Sequence, residues 1–205
     1  MRPLLNVPAS SEHVLYVFLD FETKQDMKRS DRTNEHVPNL VSLQQFCSKC
    51  ENISDIEQHC IQCGDLIHSY WDDPVGDMLS YLCESRPWVE KIVLFAHNAK
   101  AFELHFNLNR AIFLKWQVKL IMNGMKIMCI RLEYLVFLAS VSFLPFALRK
   151  MPEAFGLTVT KSWYPHYFNK RANLDYVGKI QEISYYGVDE ISAIERNEFL
   201  AWYEG

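Results

Sequence analysis

No apolar run in this 205-residue chain approaches the roughly 18 residues that a membrane-spanning helix needs, which excludes a transmembrane helix. The opening Met-Arg-Pro-Leu-Leu-Asn has no extended apolar core, so a secretory leader is not expected. Internal repeats and low-complexity stretches are also absent. Net charge is only −4, which argues against a protein that coats nucleic acid by bulk charge. What is present suits a packed globular protein: 49% apolar and 22% charged residues, which excludes global disorder. The length corresponds to one domain with room for an embedded subdomain, and it can close a sizeable core unaided.

The small net charge hides an uneven distribution. Between Lys100 and Lys150 eight Lys/Arg stand against two acids, Glu103 and Glu133, a local +6 that leaves −10 for the rest. A basic middle beside an acidic remainder suits a nucleic-acid groove next to a cation site, or is a chance clustering of solvated faces.

Six cysteines are present, four of them within seventeen residues as Cys47-x-x-Cys50 and Cys60-x-x-Cys63. Two such knuckles can place four thiolates about 2.3 Å from one Zn²⁺ and close a tetrahedron. With no open position, such a zinc is structural. Gly64 suits the tight turn after the second knuckle, and His59 and His68 are alternative ligands. Without a secretory leader a disulfide framework is the weaker explanation. Cys83 and Cys129 sit alone in apolar settings and read as core residues.

Hydrophobic patterning predicts a mixed α/β domain. Val14–Leu19 reads as a buried central strand, residues 23–38 as loop, and Val41, Leu43 and Gln45 as a short second strand. The cysteine insert follows, spanning residues 44–68. A helix is expected from Pro74 to Cys83 and a buried strand from Ile92 to Ala96. Another helix follows from Phe102 to Leu114. Asn123-Gly124 predicts a type I′ hairpin between Val118–Met122 and Lys126–Ile130. Leu135–Leu138 reads as a strand and Leu144–Phe155 as a helix stopped by Gly156. Trp163–Val177 is a long aromatic loop, and Ile183–Trp202 reads as helical with a break near Gly187.

Three constellations carry chemistry. Asp20 and Glu22 are i and i+2 at a strand end, so their carboxylates point together and repel unless a cation such as Mg²⁺ or Mn²⁺ lies between them. An exposed strand end would account for them equally. His97-Asn98-Ala99-Lys100-Ala101-Phe102-Glu103 joins a strand to a helix, where ligands sit in open α/β sheets. Helix capping by Asn98 with a solvated Glu103 is the plainer alternative. Tyr185 and Asp189, if helical, share one face and can position a water at a metal; an acid that merely complements a helix dipole is the alternative.

In this order the elements resemble the four-acid 3′–5′ exonucleases with an RNase H-like (DnaQ-type) fold. Phe18-Leu-Asp-Phe-Glu-Thr23 resembles the first exonuclease motif of family B DNA polymerases, and Phe95-Ala-His-Asn-Ala-Lys-Ala-Phe-Glu103 the second. Ser140-Val-Ser-Phe-Leu-Pro145 with Glu153-Ala-Phe-Gly-Leu157 resembles the segment that follows in the protein-primed, organellar and viral branch. Leu157-Thr-Val-Thr-Lys161 resembles that branch's catalytic-lysine segment, and Tyr185-Tyr-Gly-Val-Asp189 the third motif. The cysteine insert, the Ala-His-Asn-Ala-Lys-Ala-Phe run and the late Trp-Tyr-Glu are most similar to polymerases of Maverick/Polinton DNA transposons. The resemblance covers nearly all of the chain from Val14 onward.

The resemblance implies a mixed-sheet exonuclease domain over residues 1–205 with a four-cysteine zinc-knuckle insert. It implies two Mg²⁺ or Mn²⁺ held by Asp20, Glu22, Glu103 and Asp189, beside one structural Zn²⁺ on Cys47, Cys50, Cys60 and Cys63. Tyr185 would orient the attacking water and Lys161 would neutralise the scissile phosphate. His97, Asn98, Phe106 and Ser140 would hold a single-stranded DNA 3′ end, with Phe106 stacking a base. The function implied is proofreading during DNA replication. The partners implied are DNA and the remaining polymerase domains, and the location is intracellular, in the nucleus. No palm motif such as Asp-Thr-Asp or Ser-Leu-Tyr-Pro is present. The chain departs from the family at Glu103, normally Asp, and at Ala139, where Asp usually stands. A catalytically inactive DNA- or partner-binding module with structural zinc is the competing reading. An RNA-trimming exonuclease of the same superfamily is a third.

Overall fold

The computed structural model describes residues 13–30, 33–53, 55–97, 103–158, 162–173 and 175–204. The chain divides into two compact units, Met1–Glu22 with Pro38–Pro145, and Thr23–Val37 with Phe146–Gly205. In chain order the strands are β1 (Val14–Ser30), β2 (Thr33–Phe46), β3 (His59–Cys60), β4 (Gly64–Asp65) and β5 (Ile67–Trp71). Helix α1 (Pro74–Leu82), β6 (Lys91–Ala96), α2 (Glu103–Phe113), β7 (Lys119–Asn123), β8 (Lys126–Leu132) and β9 (Leu135–Ala139) follow. Short α3 (Met151–Ala154) and longer α4 (Ala193–Glu204) belong to the second unit.

Seven strands form one mixed sheet in the order β5-β2-β1-β6-β9-β8-β7. β1, β6 and β9 are parallel neighbours at its centre, with Phe18 paired to Phe95 and Phe95 to Leu138. β5 runs antiparallel to β2, and β7–β8–β9 form an antiparallel meander. β1 is not buried on both faces, as its apolar run suggested. Leu15, Val17, Leu19 and Phe21 enter the core, whereas Tyr16, Phe18 and Asp20 on the other face are exposed and Glu22 is half-buried. Each core side chain removed from water contributes roughly 1.5–3 kcal/mol.

Residues expected to form a loop between 23 and 38 are largely strand, because a backbone ladder needs no apolar side chains. Helix α1 starts where Asp73 accepts from the Gly76 N–H and Pro74 supplies a first-turn residue that needs no N–H partner. The hairpin also differs by one residue from its reading. Asn123 pairs with Lys126, so the two central residues are Gly124 and Met125. Gly124, at φ +58°, takes the first of these positions, where a type II′ turn requires glycine. Cys129 is a core residue, but Cys83 is exposed, because it caps the end of α1 rather than extending its buried face.

In the second unit the expected helix from Leu144 shrinks to a 3₁₀ turn at Leu148–Lys150 running into α3, consistent with a break at Pro145. Ser192 and Glu195 form a reciprocal cap at the start of α4. Phe199, fully buried, is ringed by Trp163, Tyr186, Trp202 and Tyr203 at centroid distances of 5.1–5.8 Å. Phe199→Ala is expected to lower the stability of this unit by about 3–5 kcal/mol, measurable by chemical denaturation followed through tryptophan fluorescence.

Candidate functional site

The cysteine quartet is fully assembled. Cys47 to Cys50 is 3.8 Å between sulfurs, Cys47 to Cys60 is 3.7 Å and Cys50 to Cys63 is 3.5 Å. Four sulfurs about 2.3 Å from a common centre lie close to 3.8 Å apart, so this spacing could hold a metal ion such as zinc in a tetrahedron and is far too long for a disulfide. All four are buried in the main core. The short β3–β4 hairpin presents Cys60 and Cys63, and Gly64 completes its turn at φ +85°, a region costly for any side chain. Backbone N–H groups of Cys47 and Gln62 point at the sulfurs of Cys50 and Cys60.

Burial pushes the Cys47 thiol up to about 11. Burial, reinforced by the neighbouring thiols, also drives Cys63 strongly upward. Burial raises Cys60 as well, but the backbone N–H groups of Cys63 and Gln62 outweigh it and bring it down to about 7. Cys47 and Cys63 thus resist ionisation, and a cation held by the quartet would supply the charge that deprotonates them. Neither histidine joins it. His59 binds the Asp65 carboxylate at 2.9 Å, and His68 Nε2 lies 2.9 Å from the Asp65 carbonyl. Among the described residues this quartet is the one group of three or more Cys, His, Asp or Glu whose ligand atoms lie within 4.8 Å of one another.

A second constellation lies where the parallel strands end. The rung Phe18–Phe95–Leu138 aligns β1, β6 and β9. Two residues further on, each chain carries a predicted site residue: Asp20, His97 and Ser140. Period-2 alternation puts Asp20 and Glu22 on the Phe18 face of β1, which runs on past them to Ser30, whereas His97 directly follows β6 and Ser140 opens a 3₁₀ turn directly after β9. His97 Nδ1 lies 3.0 Å from Ser140 Oγ, and the Val141 N–H donates to the His97 carbonyl at 3.0 Å. Ligands of open α/β sheets bind at this end of the strands.

Glu103 is placed differently. Its Oε2 is shielded from solvent, and the residue lines a small pocket with Leu19, Leu94, Ala96, Asn107 and Phe137. Asp20, Glu22 and Glu103 therefore do not gather into a group with converging ligand atoms. Phe106 is half-buried, edge-on to Phe21 with centroids 5.8 Å apart. Ala139, paired with Ala96, is fully buried. Asn98 and Lys161 lie outside the described residues.

In the second unit Tyr185 and Asp189 do not share a helix. Tyr185 belongs to a 3₁₀ turn, Ile183–Tyr186, which Gly187 ends in the left-handed region at φ +67°. Tyr185 packs edge-on against Phe168, and Asp189 is fully exposed, bonded by Arg196 at 3.1 Å. Arg196 also donates to the Val188 carbonyl. Val188, Asp189 and Arg196 border an open cleft of about 460 Å³ that also takes in Tyr167 and Glu190.

Two participants escaped the sequence reading, Gln45 and Arg196. Gln45 left a signal: a polar residue in register with the core-facing Val41 and Leu43.

No protein-family model matches this chain, and no curated protein matches it. Among solved structures it is similar to phi29 DNA polymerase complexed with single-stranded DNA, with a TM-score of 0.54 and 17% identity over 93% of this chain. A second similar structure is phi29 DNA polymerase complexed with primer-template DNA, with a TM-score of 0.50 and 16% identity over 91% of this chain. The chain spans about a third of the length of these polymerases, 32% and 28% respectively. The mixed α/β fold is thus that of part of a DNA polymerase.

Proposed function

We propose that this chain is the 3′–5′ exonuclease portion, RNase H-like in fold, of a family B DNA polymerase of the protein-primed branch. Within that branch its motifs are similar to those of Maverick/Polinton transposon polymerases, which act in the nucleus. The observation that carries the reading is Asp20 and Glu22 on one face of β1, just past its parallel pairing with β6, together with His97 and Ser140, which follow β6 and β9 and lie 3.0 Å apart. The DNA complexes among the similar structures support a DNA substrate.

Asp20 and Glu22 offer hard carboxylate oxygens on one face, a donor set that suits Mg²⁺ or Mn²⁺. Two such ions would supply stabilisation of the entering and leaving oxygens of an in-line displacement at phosphorus. Asp189 and Glu103 complete the carboxylate set by their motifs alone. His97 and Ser140, already hydrogen-bonded, hold the terminal nucleotide, and Asn98 joins them by sequence position. Phe106 stacks a base without reading its identity. Tyr185 orients the attacking water and Lys161 offsets phosphate charge as a point cation. The four-cysteine knuckle holds zinc as a structural element. The test is digestion of single-stranded DNA labelled at its 5′ end: one-nucleotide steps from the 3′ end support the reading, and an undegraded strand in both Mg²⁺ and Mn²⁺ overturns it.

One observation favours the competing reading of a DNA-binding remnant. Glu103 lines a pocket with the buried Leu19, Leu94 and Phe137, whereas Asp20 is on the exposed face of β1. Misplacement by about 1 Å can cost about a hundredfold in rate. Glu103→Asp shortens the arm by one methylene and restores the residue usual in the second motif. This variant is expected to speed digestion by about tenfold or more, read as single-turnover rate. An unchanged rate would remove Glu103 from the catalytic set.

A further inference from the structure

Gln45 is fully buried on β2, in a row with the buried Asn39, Val41 and Leu43. A buried amide is tolerated only where its hydrogen bonds are made. Here each polar side-chain atom has a partner. Nε2 donates to the Cys63 carbonyl at 2.7 Å and to the Asp65 carbonyl at 2.8 Å, and Oε1 accepts from the Tyr81 hydroxyl of α1 at 2.9 Å. The Gln45 backbone N–H donates to the Leu66 carbonyl at 2.8 Å. His68 Nε2, 2.9 Å from the Asp65 carbonyl, must carry its proton there. It can then donate to the Tyr81 oxygen 3.0 Å away, which frees the Tyr81 proton for Gln45. Arg86 lies over the Tyr81 ring at 4.5 Å and donates to the Tyr81 carbonyl, fixing that side of the network.

The position of Gln45 in the chain gives this network its meaning. Gln45 lies two residues before Cys47, so its backbone leads into the first cysteine pair while its side chain holds the arm that carries the second. We propose that Gln45 is the positioning residue of the metal centre. It clamps the Cys60–Cys63 arm in the geometry that coordination needs, and through Tyr81 it makes metal occupancy and the packing of β2 against α1 one cooperative unit. The proposal rests on reading the quartet as a metal site and adds the residue that builds it. Partners that orient metal ligands typically contribute 10–100-fold to affinity.

The experiment measures Zn²⁺ affinity of the full chain by chelator competition, with Co²⁺ absorption as the coordination signature, for the parent, Gln45→Met and Tyr81→Phe. Melting is recorded with and without metal. Gln45→Met is expected to bind Zn²⁺ about 10–100-fold more weakly while keeping the tetrahedral-thiolate Co²⁺ spectrum, and to show a smaller gap between metal-loaded and metal-free melting. Tyr81→Phe is expected to lose a few-fold, about the effect of one neutral hydrogen bond. A Gln45→Met protein that melts lower in both states by the same amount at parental Zn²⁺ affinity overturns the proposal. If Gln45→Met does not fold, parental affinity in Tyr81→Phe overturns it instead. A parent chain that takes up no Zn²⁺ refutes the metal reading itself, a result distinguishable because it precedes any comparison of variants.

Discussion

Asp20→Ala is expected to reduce stepwise 3′ shortening of single-stranded DNA in Mn²⁺ by at least about a thousandfold. The figure follows from the several kcal/mol of charge stabilisation a catalytic divalent ion supplies, at about 1.4 kcal/mol per factor of ten. Asp20 is exposed on β1 while its neighbours Leu19 and Phe21 are buried. Removing its carboxylate should leave the fold intact, and circular dichroism and melting should match the parent. Binding of single-stranded DNA should persist, because His97 and Ser140 belong to other strands. A variant that still digests DNA would exclude the carboxylate pair as the catalytic centre. A parent and variant that bind DNA equally and digest nothing would establish the remnant reading.

The second large effect is expected from Cys63→Ser. Cys63 is buried, its sulfur is 3.5 Å from Cys50, and its carbonyl anchors Gln45. Serine keeps the backbone and so the Gln45 contact, but removes a thiolate from a tetrahedron that has no spare ligand. Structural zinc stabilises small sites by roughly 10–16 kcal/mol in peptides whose folding depends on it. Here part of that is replaced by packing, since the knuckle shares the main core. A loss of about 3–5 kcal/mol is expected, which for a chain of this size is a fall on the order of 10 °C in melting temperature. Zinc content should drop from one equivalent to a small fraction, and a strong chelator should reproduce the melting change in the parent alone. Equal melting of parent and variant would show that the quartet is held by packing and not by metal.

Much of the centre of the molecule was legible because its signals are local. Val14–Leu19 and Ile92–Ala96 read as strands from composition and length, and Pro74 behind Asp73 announced α1. The C-x-x-C pairs announced a four-thiol cluster because their spacing leaves few other arrangements. Period-2 alternation put Asp20 and Glu22 on one face without any structure. Residues 23–38 misled because their polar side chains carry no periodic signal, while their backbones pair as strand all the same. Ile183–Trp202 misled because helical spacing cannot show that Gly187 takes a left-handed conformation and separates Tyr185 from Asp189.

The remaining features depend on contacts between residues far apart in the chain, and those only folding supplies. Sequence alone determined the residue types, the strand and helix seeds and the thiol spacing, because each follows from chemistry within a few residues. The tertiary structure decided that His97 meets Ser140, since the pairing of β6 with β9 joins segments 43 residues apart. It decided that Glu103 borders the pocket with Leu19 and Phe137, since that pocket exists only once three strands and α2 have packed. It also decided that Gln45 serves the cysteine quartet, since a buried amide finds its use only in the carbonyls that another segment brings to it.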